Sequence, residues 1–247
     1  MIRIAAVGDI HFGEDSAGTL RAQFESLADH ADILLVAGDL TKCGARQEGA
    51  VIARELMELP VPVVTVLGNH DYHSDEHDIL RRALEDTGTT VLEGETAIVD
   101  VDGGRIGIAG TKGFGGGFAG ACGTDFGEPE MKAFIHHTMS LAEGLEHSLR
   151  SLDACDVRIA LLHYSPVRDT LAGERAEIFP FLGSYLLAEA VDRAGADVAI
   201  HGHAHAGVEK GVTPGGVLVR NVAQPVIKHA YNVYTFEPAR MTAEARA

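Results

Sequence analysis

The chain has 247 residues, 46% of them apolar and 23% charged, enough for a sizeable core in one large domain or two small ones. Its formal charge of −16 repels polyanions at long range, and no Lys/Arg stripe is visible for wrapping nucleic acid; a small substrate is the expectation, although bound divalent cations would change the local sign. No apolar run reaches the ~18 residues of a membrane span, no basic and apolar leader precedes the first strand pattern, and three scattered cysteines, Cys43, Cys122 and Cys155, argue against a disulfide framework and for a cytoplasmic setting.

Residues 2–7 read as a buried strand that ends at Gly8-Asp9-Ile10-His11. A helical segment follows over about 17–30. A second apolar run, Ile33–Ala37, ends at Gly38-Asp39, and a helix over about 45–59 stops at Pro60. Residues 61–67 carry a third strand pattern, ending at Gly68-Asn69-His70-Asp71. A helix over about 74–86 closes with Gly88 as a C-cap. Strand and helix alternate three times, which implies a parallel sheet covered on both faces.

Beyond residue 90 the pattern changes. Short strands at 91–92, 95–101 and 105–109, joined by turns such as Asp102-Gly103-Gly104, read as an antiparallel meander. Gly113–Gly120 is a glycine-rich patch. Pro129 suits the first position of a long helix to about residue 152. A strand at 158–162 ends at His163, a helix over about 184–194 ends at Gly195, and 197–200 leads into His201-Gly202-His203-Ala204-His205. Final strands lie at 216–222 and 231–236. The expectation is a single domain over 1–238, with two packed sheets, helices outside and an insertion-like segment at about 111–156. Residues 239–247 are expected to fray.

Five apolar strands thus end in potential metal ligands: Asp9 and His11, Asp39, Asn69 and His70, His163, and His203 and His205. Ligands of open α/β sheets bind beyond the carboxyl ends of strands, so these residues are expected to converge. Gly8, Gly38, Gly68 and Gly202 each precede a candidate and permit close approach. Asp9-x-His11 and His203-x-His205 can each present two side chains to one face. A carboxylate can bridge two cations, and Asp39, alone at its strand end, is the natural bridge. Two dications roughly 3.5–4 Å apart can hold a hydroxide and clamp a phosphate for in-line displacement. Imidazole mixed with oxygen suits Mn, Fe, Zn or similar ions better than Ca or Mg.

The ordered set Gly8-Asp9-Ile10-His11, Gly38-Asp39, Gly68-Asn69-His70-Asp71, His163 and Gly202-His203-Ala204-His205 resembles the calcineurin-like metallophosphoesterase family. The resemblance spans most of the chain. It implies a four-layer α/β/β/α sandwich with two mixed β-sheets and a dinuclear, metal-dependent hydrolase acting on a phosphodiester or phosphomonoester. By position it implies that Asp9, His11, Asp39 and His205 hold one divalent ion and that Asp39, Asn69, His163 and His203 hold the other. It makes His70 the residue that stabilises the phosphoryl oxygen or protonates the leaving group, a role open to an imidazole beside two dications. The protein-phosphatase branch has an acid and then an arginine where this chain has Lys42 and Cys43. Purple acid phosphatases place a metal-binding tyrosine at the position of Lys42. The form Gly38-Asp39-Leu40-Thr41 looks more like the branch of cyclic-nucleotide and other small-molecule phosphodiesterases. His70 is left without an evident orienting acid. A catalytically silent, metal-bearing binding scaffold and a nuclease are the alternatives.

Other residues have plainer readings. Asp71 reads as a cap for the next turn, ahead of a role in orienting His70. His73, His77, His136 and His137 read as surface, His201 as strand-end packing and Cys43 as a small buried hydrophobe. Phe114 and Phe118 could stack on a base or cover an apolar group, or belong to a plain flexible loop. Arg168 and Arg175 are candidate phosphate or carboxylate partners.

Overall fold

Strands β1 (Ile2–Val7), β2 (Ile33–Ala37) and β3 (Val63–Val66) run parallel, as alternation with helices requires. The computed structural model describes residues 1–237, so the tail expected to fray at 239–247 lies outside the described residues. The first sheet adds β4 (Thr90–Val91) parallel to β3, and places β13 (Asn232–Phe236) antiparallel to β1, in the order β13-β1-β2-β3-β4. The second contains β5 (Thr96–Val101), β6 (Gly104–Thr111), β9 (Val157–Leu162), β10 (Val198–His201), β11 (Lys210–Val212) and β12 (Leu218–Asn221). Its order is β11-β12-β10-β9-β6-β5, parallel from β6 through β12 and antiparallel at both edges. A small hairpin, β7 (Gly117–Phe118) with β8 (Ala121–Cys122), stands apart.

Successive residues of a strand face opposite ways, and this splits the core into three apolar layers. Ile4, Ile33, Leu35, Val64 and Val66 meet Ile108, Ile159, Leu161 and Ile200 between the sheets. Leu34, Val36 and Val63 face outward against Phe24, Ile52, Leu56, Leu80 and Leu84. These last come from α1 (Arg21–Glu25), α3 (Arg46–Leu56) and α4 (His77–Glu85); a short α2 (Leu27–His30) lies between the first two. On the other side Ala160, Leu162 and Ala199 face Leu145, Leu149, Leu187 and Val191 of α5 (Pro129–Arg150) and α7 (Tyr185–Ala194). Short helices α6 (Phe179–Leu182) and α8 (Gln224–Ile227) complete the set. The result is helix, sheet, sheet, helix, the four-layer arrangement expected. Each fully buried aliphatic side chain contributes about 1.5–3 kcal/mol through the water it sheds.

Two local expectations are corrected. The helix over 17–30 is broken at Ser26, whose hydroxyl donates to the Gln23 carbonyl (2.9 Å) and competes with the helical ladder. The meander is reduced to the β5–β6 hairpin, because Thr90–Val91 pairs with β3 and the chain changes sheets after it. Segment 111–156 supplies an outer layer: Ile135, Thr138, Ala142, Leu145 and Leu149 of α5 form a buried stripe at helical spacing. Among the described residues no helix is long and apolar enough to cross a membrane.

Candidate metal centre

Parallel strands point their carboxyl ends one way, so the exits of β1, β2, β3, β9 and β10 gather at one edge of the sandwich. Ligand atoms of Asp9, His11, Asp39 and His205 all lie within 4.8 Å of one another. Asp39, His163 and His203 form a second group within the same 4.8 Å limit, with Asp39 in both. His205 Nε2 is 2.8 Å from Asp9 Oδ1, His11 Nε2 is 3.9 Å from Asp39 Oδ2, and His163 Nε2 is 3.4 Å from Asp39 Oδ1. Asn69 Oδ1 joins the second group, 3.0 Å from His163 Nε2.

The backbone at these exits is forced. Asp9, His11, Asp39 and His203 have φ of 55°, 45°, 49° and 69°, in the left-handed region that costs a non-glycine residue of order 1–3 kcal/mol. Neighbouring exits hold one another in it: Asp9 N donates to Gly38 O (3.0 Å), His11 N to Asp39 O (3.1 Å) and Phe12 N to Leu40 O (2.8 Å). Two glycines are needed for close approach. A Cβ at Gly68 would stand 2.1 Å from Asp39 Oδ1, and one at Gly202 would stand 2.2 Å from Asp9 Oδ2.

Hydrogen bonds assign the imidazole tautomers. The Ala37 carbonyl, 2.9 Å from His163 Nδ1, can only accept, so Nδ1 carries the proton. In neutral His163 the Nε2 lone pair then faces the oxygens of Asp39 and Asn69, with no proton between them. A cation satisfies that arrangement. Likewise the Phe181 carbonyl takes the proton on His203 Nε2 (3.2 Å) and leaves its Nδ1 bare. Burial, then the neighbouring His163, push the His203 pKa down to about 3, so it stays neutral and able to ligate. Burial also lowers His11. Burial works against the Asp9 carboxylate, but the His205 hydrogen bond and the charges of His163 and His205 hold it below the ordinary carboxylate range. That same Asp9 hydrogen bond raises His205. The donor set, two carboxylates and four imidazoles with an amide oxygen beside them, fits borderline divalent ions.

His70 stands beside the cluster, with its side chain 44% exposed. Its amide donates to Asp39 Oδ1 (2.9 Å), and its Nδ1–H donates to the carbonyl of Lys42 (2.6 Å). The bare Nε2 lies 4.0 Å from Asp39 Oδ2. The residue that stands where an orienting acid was absent thus orients His70 through its main chain.

Asp71 is fully buried and does not cap the following turn. It accepts from the Leu40 and Thr41 amides (3.1 and 2.9 Å), the Thr41 hydroxyl (2.6 Å) and the Gly68 amide (2.8 Å), tying the β2 exit to the β3 exit. Burial and the Asp39 charge push its pKa up to about 6 against the pull of those bonds. Cys43, expected to be buried, is exposed, because it lies on the loop between Asp39 and α3. His73, His136 and His137 are exposed as expected; His77 is half-buried and stacks on Tyr72 at 4.4 Å. His201 is buried packing, with Nδ1 at 2.7 Å from the Gly202 carbonyl and Nε2 at 2.9 Å from the Thr170 hydroxyl.

The two phenylalanines of the glycine-rich patch separate. Phe114 packs against Tyr164 (5.7 Å), which in turn lies 4.4 Å from His203, so it borders the cluster. Phe118 is buried with Leu171, Phe179 and Leu182. It lines an apolar cavity of about 630 Å³, shared with Arg168 and Tyr185, to which no residue of the ligand cluster contributes. The Arg168 guanidinium lies over Phe179 (5.6 Å), and Arg175 is exposed. One residue passed over in the sequence borders the cluster. Lys112 immediately follows β6 as His163 immediately follows β9, and its polar side chain after an apolar run was the signal available.

The profile of the family described as calcineurin-like phosphoesterase matches residues 2–207, and the chain belongs to that family. Its fold is similar to that of phosphopantetheinyl hydrolase from Mycobacterium tuberculosis, with a TM-score of 0.65 and 17% identity over 89% of this chain and 88% of that one. It is also similar to GAP50, the anchor in the inner membrane complex of Plasmodium, with a TM-score of 0.56 and 12% identity over 91% of this chain and 72% of that one. At these identities the likeness speaks for the fold alone. A search of curated proteins returns no match.

Proposed function

We propose that this chain hydrolyses a small-molecule phosphoester at a centre that holds two divalent cations, Mn, Fe, Zn or similar. Asp9, His11, Asp39 and His205 would hold one, and Asp39, Asn69, His163 and His203 the other. One observation carries the reading. Asp39 is 1% exposed and stands in both ligand groups, yet among the described residues no Lys or Arg lies within the 4.0 Å of an ion pair. A buried carboxylate surrounded by imidazole lone pairs needs positive charge from elsewhere. Bound there, two cations would supply Lewis-acid polarisation of the phosphoryl group and activation of water.

The remaining chemistry falls to His70. The Lys42 carbonyl fixes Nδ1 as the protonated nitrogen and leaves Nε2 facing the cluster. His70 would give an Nε2 proton to the departing oxygen while its Nδ1–H continues to donate to the Lys42 carbonyl. The charge of −16 favours a small substrate over a nucleic acid.

The test is a panel of aryl phosphomonoesters and phosphodiesters, cyclic nucleotides and a phosphopantetheinyl ester, run with Mn, Zn, Fe, Ni and Co. Turnover that disappears with a chelator and returns with metal supports the reading, and turnover that survives complete metal removal overturns it. Full metal occupancy without turnover across the panel would favour a binding scaffold instead.

A further inference from the structure

Lys112 occupies, one strand over, the place that His163 occupies after β9. Strands β6 and β9 are parallel with Thr111 opposite Leu162, so both residues leave the sheet side by side. The Lys112 carbonyl accepts from the amides of His163 (3.1 Å) and Tyr164 (2.9 Å), which locks the two exits together. Its ammonium lies 4.2 Å from the centroid of the Tyr72 ring and 5.5 Å from that of Phe114. Tyr72 belongs to the 3₁₀ turn that begins with His70. The main chain of Lys112 thus holds the exit that carries His163, while its ammonium lies against the turn that carries His70.

Among the described residues this cation forms no ion pair within 4.0 Å. The chain has 36 acidic residues against 20 basic ones, and several of the basic side chains, among them Arg3, Arg46, Arg81, Arg105 and Arg193, find a carboxylate. Among the described residues no carboxylate lies within 4.0 Å of the Lys112 ammonium and no hydrogen-bond acceptor reaches it. The neighbouring Glu93 accepts from the Tyr72 hydroxyl and from the Leu67 amide (3.1 Å); its charge acts on the Lys112 ammonium from beyond ion-pair distance. Ring faces attract a cation but take no N–H proton, so among the described residues the half-buried ammonium has donors that no protein acceptor takes. An anion arriving at the ligand cluster would satisfy them.

Resting on the phosphoesterase reading, we propose that Lys112 binds a non-bridging phosphoryl oxygen of the substrate and selects dianionic phosphomonoesters over monoanionic phosphodiesters. A unit charge beside the phosphoryl position attracts a dianion more strongly than a monoanion. A diester also replaces one charged oxygen by an ester oxygen that carries a second substituent, which weakens the charge-assisted bond Lys112 can offer.

The test compares metal-loaded wild-type protein with Lys112→Met, Lys112→Gln and Lys112→Arg. Elemental analysis reads metal content, calorimetry reads the Kd of inorganic phosphate, and kcat/KM is measured for 4-nitrophenyl phosphate and its bis(4-nitrophenyl) diester. Metal content should stay at the wild-type value in Met and Gln variants. Phosphate binding should weaken by about tenfold or more, and the monoester-to-diester ratio of kcat/KM should fall by about tenfold or more. Lys112→Arg should recover most of both. An unchanged phosphate Kd, equal losses on the two esters, or loss of metal from the Met and Gln variants would each overturn the proposal. Wild-type protein that turns over neither ester fails the phosphoesterase reading instead. The phosphate titration then still decides the role of Lys112, and wild-type protein that binds no phosphate, or binds it as weakly as Lys112→Met, overturns it.

Discussion

The Nδ1 of His70 lies 2.6 Å from the main-chain carbonyl of Lys42. A main-chain acceptor cannot be removed by changing the side chain that follows it, and the Lys42 side chain points to an exposed pair with Asp15. Lys42→Ala is therefore expected to leave kcat within about twofold of wild type, because it touches neither the imidazole nor its acceptor. His70→Ala should lower kcat by about 10²–10⁴-fold with metal content unchanged, the range for loss of a positioned proton donor. Steady-state kinetics with parallel elemental analysis measures both. A large kcat loss in Lys42→Ala would mean that the side chain, and not the carbonyl, supports His70.

Asp39 belongs to both ligand groups and Asp9 to one. Asp39→Ala is expected to lose both cations, whereas Asp9→Ala should retain about one per chain. Metal counting after gel filtration distinguishes them. Two cations retained in Asp39→Ala would reject the shared carboxylate.

Asp71 joins the exits of β2 and β3 through four hydrogen bonds made with no solvent access. In Asp71→Asn an amide NH₂ replaces one acceptor oxygen and meets donors. The expected cost is about 2–4 kcal/mol of folding stability, the scale for disrupting a buried network, together with weaker metal binding as the two exits drift apart. Urea midpoints, compared at matched slope, give the first quantity. An unchanged midpoint would show that the two exits hold their places without this carboxylate.

His201 is fully buried, and burial pushes its pKa down to about 4 from the model-peptide value of 6.5. Its folded pKa is depressed, so the unfolded chain takes up the proton first as the solution is acidified. The stability it contributes is complete above pH 6.5 and is lost as the pH falls towards 4, amounting to about 3 kcal/mol across that window. His201→Gln should flatten this part of the stability-versus-pH curve in the metal-free protein. Denaturant unfolding at pH 7 and pH 4.5 measures it. An equal acid loss in both proteins would assign the effect to other groups.

Much of the fold was legible in the residues, because burial imposes a period on the chain. Leu34 and Val36 face the helices while Ile33 and Leu35 face the other sheet, and an apolar run with polar residues at its end needs no knowledge of distant partners to be recognised. The convergence of Asp9, Asp39, His163 and His203 follows from parallel strands sharing one exit edge. The glycines were legible by position, because Gly68 and Gly202 each precede a candidate ligand, while the groups that need the room, Asp39 Oδ1 and Asp9 Oδ2, stand on neighbouring exits.

Only the tertiary structure decided the contacts that carry no residue-type signal. The acceptor for His70 is a peptide carbonyl, which every residue possesses, so no pattern could reveal that Lys42 supplies it. Asp71 turned back to the β2 exit because buried amides there needed an acceptor, a demand visible only when the exits stand side by side. Phe114 and Phe118 lie four residues apart in one glycine-rich patch, yet packing sends one to the border of the cluster and the other into a separate apolar layer. The sequence by itself determined which residues stand at strand ends, because periodicity is local. The pairing of those ends, the support of His70 and the placement of the Lys112 ammonium were decided by through-space proximity between segments up to about two hundred residues apart, which one-dimensional spacing does not encode.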